Sequence, residues 1–187
     1  KLNAQTVDDP FSLPFIDFIL DTVAGHELYS FLDGFNGHNQ VRLAPEDQEK
    51  MAFVTNWGVY VTTVMVFRLK TAPATFQCAI MQIFDDFVPV FTQVFLDDFV
   101  VFSMMDHHLE YLHQYLQRCG NMHLKLNPAK GTFAVTTGHL LGLLVSQQEI
   151  SINLAKVEVV LSAPRPTTAK GLLRFLGQVR WHSRVFV

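Results

Sequence analysis

The chain has 187 residues, 49% of them hydrophobic and 17 of them Phe, enough for a sizeable single core and too apolar for a disordered protein. Cys78 and Cys119 stand far apart in no CxxC pair, no apolar run nears the ~20 residues that span a bilayer, and Lys1 to Pro10 lacks signal-peptide shape, which together exclude a disulfide scaffold and a membrane helix and predict a soluble intracellular protein of cytoplasm or nucleus. The net charge of −3 is unevenly spread: Lys+Arg against Asp+Glu is 3 to 9 in residues 1–62, 3 to 6 in 63–124 and 8 to 2 in 125–187, so the last third carries either a polyanion footprint or an ordinary solvated helical face.

In chain order, Leu13, Ile16, Ile19, Leu20 and Val23 form a helical stripe over residues 13–24. Leu28 to Leu32 is a short apolar strand ending on Asp33, and Gly34 and Gly37 then bend the backbone. Ala52–Thr55 and Gly58–Met65 read as a hairpin turning at Asn56-Trp57. A helix is predicted over Ala72–Val88, with Thr71 as N-cap, Pro73 in the first turn and Pro89 as the stop. Its frame places Asp85 and Asp86 on the solvated side.

Val94-Phe95-Leu96-Asp97-Asp98-Phe99-Val100-Val101-Phe102 follows. Two apolar runs around a polar pair read as a buried hairpin with Asp97-Asp98 at or near its turn. From Thr71 to Gln117 there is no Lys or Arg, so the paired carboxylates lack a counter-charge nearby in sequence. A bound metal would supply one; a solvated acidic turn is the alternative. A helix from Asp106 to about Arg118 carries Leu109, Leu112 and Leu116 inward. His107, His108 and His113 lack the i,i+4 spacing of helical zinc ligands and are expected to be exposed. Leu124–Phe133 is extended, His139–Val145 and Glu149–Ile152 form a further hairpin, and Leu154–Leu161 and Thr168 to about Val185 are helices.

Strand, helix, hairpin, helix, strand is the split βαβ order, an α+β antiparallel sheet with helices on one face and the other face open. In such a sheet Asp33 and the Asp97-Asp98 hairpin are neighbours. Three carboxylates there suit two Mg²⁺ ions roughly 3.5–4 Å apart, the spacing of two-metal phosphoryl transfer.

Several stretches now add up to a resemblance: Phe31-Leu32-Asp33-Gly34-Phe35-Asn36-Gly37-His38-Asn39-Gln40, Ala44-Pro45-Glu46-Asp47-Gln48-Glu49-Lys50, Leu69-Lys70-Thr71-Ala72-Pro73-Ala74-Thr75-Phe76-Gln77, Phe95-Leu96-Asp97-Asp98, Leu124-Lys125-Leu126-Asn127-Pro128, Leu141-Gly142 and Phe175-Leu176-Gly177. In this order, across nearly the whole chain, they resemble the reverse transcriptase of Ty3/gypsy-type long-terminal-repeat retrotransposons, which is similar to the retroviral enzyme. The resemblance implies a polymerase palm with partial fingers and the start of a thumb. Residues 1–70 would hold partial fingers and the first palm strand, 71–137 the palm, and 138–187 the primer grip and the beginning of the thumb or connection.

It also implies roles. Asp33, Asp97 and Asp98, with the Gly34 carbonyl, would bind two Mg²⁺, for which Mn²⁺ could substitute. Asn36 and Gly37 amides would face a deoxynucleoside triphosphate, His38 would stand at the steric gate, and Phe67, Arg68 and Gln77 would line the nucleotide and template side. Lys130 would protonate pyrophosphate, and Leu141-Gly142 would belong to the primer grip. Implied partners are an RNA or DNA template with primer, and the remainder of a Gag-Pol-like polyprotein.

Departures from the family pattern accompany these matches. Met65-Val66-Phe67-Arg68 puts Arg where the family has Gly, a position that usually leaves no room for Cβ, so obstruction of the pocket is expected. Lys130-Gly131 replaces the usual Lys-Cys, and Trp181-His182-Ser183-Arg184 replaces a Tyr-Arg-Arg pattern. Lys1-Leu2-Asn3 resembles only the end of the fingers motif, so the sequence reads as a fragment, or a decayed or domesticated copy that polymerises poorly. A non-catalytic nucleic-acid-binding module with the same fold is the alternative. A metal-dependent phosphodiesterase lacks any sign of a hydrolytic base.

Overall fold

The computed structural model describes residues 3, 6–7, 9–67, 69–152 and 154–182. Helix α1 (Ile16–Val23) leads into strand β1 (Leu28–Asp33), a one-turn helix α2 (Pro45–Gln48) and the hairpin β2 (Phe53–Thr55) and β3 (Gly58–Tyr60). Helix α3 (Ala72–Ile83), the hairpin β4 (Thr92–Phe95) and β5 (Asp98–Ser103), and helix α4 (His108–Asn121) come next. Strands β6 (Thr132–Val135), β7 (Thr137–Leu140), β8 (Leu143–Ser146) and β9 (Ile150–Ile152) precede helices α5 (Leu154–Leu161) and α6 (Ala169–His182).

The main sheet has strand order β4-β5-β1-β6, antiparallel throughout. This is the predicted split βαβ arrangement, with α3 and α4 as the two crossover helices. Successive strand residues point to opposite faces. Leu32, Val94, Phe99 and Val101 face a core shared with Phe76, Ile80, Phe84, Leu112 and Tyr115 of the α3–α4 side. Tyr29, Phe31, Val100 and Phe102 face a second core with Ile19, Leu20 and Val23 of α1 and Leu140, Leu143 and Val145 of β7 and β8. The second face is therefore covered at its centre, where the sequence predicts an open one. The cause lies in the strands themselves: β1 and β5 are apolar on both sides, and each side needs cover.

Other differences have local causes. Leu13 precedes α1 and is exposed. The second strand of the early hairpin ends at Tyr60, not Met65. Helix α3 stops at Ile83, five residues before the predicted end. Pro89 biases Val88 away from helical backbone, the amides of Phe87 and Val88 both turn back to the Phe84 carbonyl, and Arg118 donates to the Ile83 carbonyl at 2.7 Å. Asp85 and Asp86 are exposed as predicted, but in the turn beyond the helix, and Asp86 accepts from Arg118 at 3.0 Å.

Helix α4 buries His108, Leu112, Tyr115 and Cys119, while Leu109 is 79% exposed. The face is rotated from the predicted leucine stripe because the Tyr115 ring stacks on Phe84 at 4.5 Å. Residues 137–152 form a three-stranded meander and not one hairpin, since His139–Val145 itself turns at Leu141-Gly142. Cys78 and Cys119 are free thiols. No helix among the described residues is long and apolar enough to cross a membrane.

Candidate functional site

The pairing of β1 with β5 ends on Asp33 opposite Asp98. Phe95 pairs with Asp98 on the other side of β5, so Leu96-Asp97 is a two-residue turn. Leu96, its first residue, has a left-handed backbone (φ 54°), a conformation costly for a residue with a branched side chain. Gly34 N–H donates to the Asp97 carbonyl at 2.8 Å and ties this turn to the chain leaving β1. All three predicted acids thus sit at one end of the sheet.

Their side chains are held differently. Asp33 Oδ2 accepts from Lys130 Nζ at 3.1 Å. Asp97 Oδ1 is buried without a hydrogen-bond partner and lies against the backbone of Gly34 and Gly37. Burial pushes the Asp97 carboxyl above its ordinary range, His38 draws it down and Asp33 pushes it up again. Burial also raises Asp98, followed by repulsion from Asp33 and Asp97. A set of hard carboxylate oxygens, one an orphan and two destabilised as anions, fits a divalent cation in chemistry. The convergence is one of backbone positions, however. Among the described residues no three acidic, histidine or cysteine side chains close on a common point, since Asp97 is turned beneath the glycines and Lys130 holds Asp33.

A cleft of about 300 Å³ opens on one side of the acids, lined by Asp33, Gly34, Phe35, Asn36, Gly37, His38, Asn39, Phe67, Asp97, Asn127 and Lys130. Eight of these were predicted from sequence. Asn36 takes a left-handed backbone (φ 49°) and launches a short helical turn over Gly37–Gln40. His38 stacks on Phe76 at 5.2 Å and meets Phe67 edge-on at 5.7 Å. A second cleft of about 560 Å³, on the hairpin side, is lined by Asp33, Phe95, Leu96, Asp97, Asp98, Leu141 and Gly142. Leu141 and Gly142, at φ 51° and 83°, form the tight turn between β7 and β8 and bring the predicted primer-grip pair to the acids.

The reverse transcriptase (RNA-dependent DNA polymerase) family matches residues 1–179. The chain belongs to that family. It is 31% identical over 185 residues to the retrovirus-related Pol polyprotein from transposon opus of Drosophila melanogaster, covering 98% of this chain and 18% of that protein. The corresponding polyprotein from transposon gypsy is 27% identical over 188 residues, 100% of this chain and 18% of the relative. The Tf2-3 polyprotein of Schizosaccharomyces pombe is 27% identical over 96% of this chain and 14% of its own length. The chain therefore spans less than a fifth of these relatives.

Foamy viral protease–reverse transcriptase has the same fold. Its complex with RNA/DNA hybrid gives a TM-score of 0.86 at 18% identity, covering 96% of this chain and 24% of that one. A form in complex with double-stranded DNA gives 0.88 at 18% identity, covering 96% and 32%.

Among the described residues, one predicted residue of this reverse transcriptase chain stands apart from the clefts. Gln77 is fully buried beneath the acid hairpin and lines neither cleft. Arg68 lies outside the described residues. Other residues carry site geometry without having been predicted. Gln40 Nε2 donates to the carbonyls of Phe35 and Lys125 at 2.7 and 3.0 Å, and its Oε1 accepts from Lys125 N–H at 2.7 Å. It binds the loop after β1 to the segment before β6, where Asn127 N–H donates to the Asp33 carbonyl. Phe35, Asn39 and Asn127 add to the cleft wall. For Asn39 and Gln40 the sequence signal was the polar stretch Asn36–Gln40 after the bend at Gly34, which marks a loop doing more than connecting; Phe35 and Asn127 lie outside it.

His108 is a clear miss. It is buried between Ser30 Oγ, 2.8 Å from Nε2, and Ser103 Oγ, 2.9 Å from Nδ1, and burial holds its pKa below the ordinary histidine value. Small polar residues inside two otherwise apolar strands were the available signal.

Proposed function

We propose that the chain is the polymerase palm of an RNA-directed DNA polymerase, with residues 1–70 contributing partial fingers and the first palm strand, 71–137 the palm proper, and 138–187 the primer grip and first part of the thumb. The register that sets Asp33 against Asp98 carries this reading, with the glycine loop on one side and the Leu141-Gly142 turn on the other. Asp33, Asp97 and Asp98, with the Gly34 carbonyl, would hold two Mg²⁺ ions, or Mn²⁺ in their place. When bound, such ions lower the pKa of a primer 3′-hydroxyl and stabilise charge on the departing pyrophosphate.

The remaining chemistry belongs to the chain. The Asn36 and Gly37 backbone turns its loop toward an incoming triphosphate. His38, braced by Phe76, forms the floor under the sugar. Lys130, with its Nζ already at Asp33, is placed to give a proton to pyrophosphate. The Leu141-Gly142 turn supports the primer end beside Asp98. The foamy viral structures with RNA/DNA hybrid and double-stranded DNA support a template–primer duplex as the partner, and the Pol polyprotein relatives support a longer parent protein.

The test is primer extension on an RNA template with Mg²⁺ or Mn²⁺. Extension that falls at least ~100-fold in a folded Asp98→Asn chain is the expected result, in line with the cost of misplacing reacting groups. Duplex binding without extension, unchanged by Asp98→Asn, would instead favour the non-catalytic binding module. An Arg68→Gly chain should extend faster if Arg68 obstructs the pocket; an equal rate dismisses that expectation.

A further inference from the structure

Gln77 is a polar residue in the apolar stripe of α3, fully buried between Phe76 and Ile80. A buried carboxamide must find a donor and an acceptor or incur a substantial desolvation cost. It finds both at the end of β4, one on the strand and one on the first residue of the turn. Oε1 accepts from Leu96 N–H at 2.6 Å, and Nε2 donates to the Val94 carbonyl at 2.9 Å. β4 is an edge strand, and its outer edge offers unpaired backbone groups. Gln77 pairs with that edge at Val94 and Leu96, as a neighbouring strand would.

The contact falls on the strained residue of the turn. Leu96 has φ 54°, and its N–H bond to Gln77 is the shorter of the two. Phe76, the preceding residue of the same helix, stacks on His38 and packs against Gly37. Adjacent α3 residues thus support the two walls of the nucleotide-side cleft: Phe76 the glycine loop, Gln77 the acid hairpin.

We propose that Gln77 is a positioning residue that holds Leu96 left-handed and so sets the direction in which Asp97 and Asp98 leave the turn. This deepens the polymerase reading and rests on it. It also differs from the nucleotide contact implied by family resemblance, because both polar atoms of Gln77 are committed to backbone.

The test compares the full chain with Gln77→Met, which keeps length and apolar packing but makes neither bond. Gln82→Met, on the exposed side of the same helix, is the control. In primer extension, Gln77→Met should lower kcat by up to about 100-fold, the cost of a displacement near 1 Å, with the KM for nucleotide within about threefold. Adding Leu96→Gly should restore part of kcat, because Gly takes the left-handed conformation without a clamp. A rise in KM with kcat intact would overturn the proposal in favour of nucleotide contact, and unchanged kinetics would overturn it outright. If Gln77→Met does not fold, Gln77→Asn keeps the carboxamide one methylene short of the strand and should give the same split. Hydrogen exchange separates the two ideas. The Leu96 amide should be protected in the parent and exchange at least ~10-fold faster in the variant; equal exchange defeats the proposal even if the parent does not polymerise, a result that would count against the polymerase reading alone.

Discussion

A methyl group on Gly37 would strike Asp97 Oδ1 and stand 2.6 Å from Phe76 Cζ. Neither neighbour has an easy way out, since Asp97 is fixed in a two-residue turn and Phe76 is buried under His38. Gly37→Ala should therefore lower unfolding free energy by about 1–3 kcal/mol, the usual range for overpacking, and displace Asp97. Gly120→Ala, in α4 with nothing within 4 Å of the added Cβ, should leave stability unchanged or raise it by up to about 1 kcal/mol. Urea titration of both chains checks the contrast, and equal effects would refute it. Asp97 and Asp98, when ionised, oppose folding. Asp98 has a raised pKa from burial and from Asp33 and Asp97, so the fold binds its proton more tightly than the unfolded chain does. That contribution favours folding below the ordinary value of 3.8 and is lost as pH rises through the folded pKa. At pH 7 without metal, Asp98→Asn should melt higher than the parent, by an amount kept small because Asp98 remains partly solvated. Adding Mn²⁺ should raise the parent's melting temperature and leave that of the variant where it was.

At the scale of elements, helix and strand identities followed from periodicity, whereas boundaries and faces followed from partners. α4 shows the difference. Its 3.6-residue period is plain in the sequence, but two neighbouring stripes satisfy it, one through Leu109 and Leu116, the other through His108, Tyr115 and Cys119. The second is buried because Phe84 and Phe99 offer the Tyr115 ring a packed slot, and because Ser30 and Ser103 satisfy both nitrogens of His108. Ser30 Oγ also accepts from Ala134 N–H at 3.0 Å, so this small polar cluster joins β1, β5, β6 and α4. Burial lowers the His108 pKa below 6.5, and the fold therefore favours the neutral ring. The corresponding stability is complete above pH 6.5 and is lost as pH falls from there through the folded pKa. Melting temperature measured from pH 7.5 to 5 should decline, and His108→Gln, which keeps a donor and an acceptor but does not titrate, should flatten the decline. An identical slope in both chains would show that other groups control it.

Across the whole molecule, charge is divided much as the chain is. The basic last third includes Lys170 and Arg174, both exposed on α6. A template–primer duplex held there would release counterions, so affinity should fall steeply with salt. Lys170→Glu and Arg174→Glu should each weaken duplex binding at low salt and reduce the slope of log K against log salt by roughly one. Fluorescence anisotropy over a range of NaCl reads both quantities, and slopes matching the parent would place the duplex elsewhere. The sequence by itself marked the residues proposed for the chemistry: Asp33, Asp97-Asp98, Asn36-Gly37-His38, Lys130 and Leu141-Gly142 all stand in short local patterns, and local patterns survive in one dimension. It also determined the order of elements and hence the split βαβ topology. Only the tertiary structure decided that both faces of the sheet are covered, that α3 ends at Ile83, that Asp97 turns under Gly37 while Lys130 takes Asp33, and that Gln77 and His108 spend their polar atoms on a hairpin and on two serines. Each of those outcomes depends on a partner distant in sequence, and a buried polar atom is directed by whichever donor or acceptor folding brings within 3 Å.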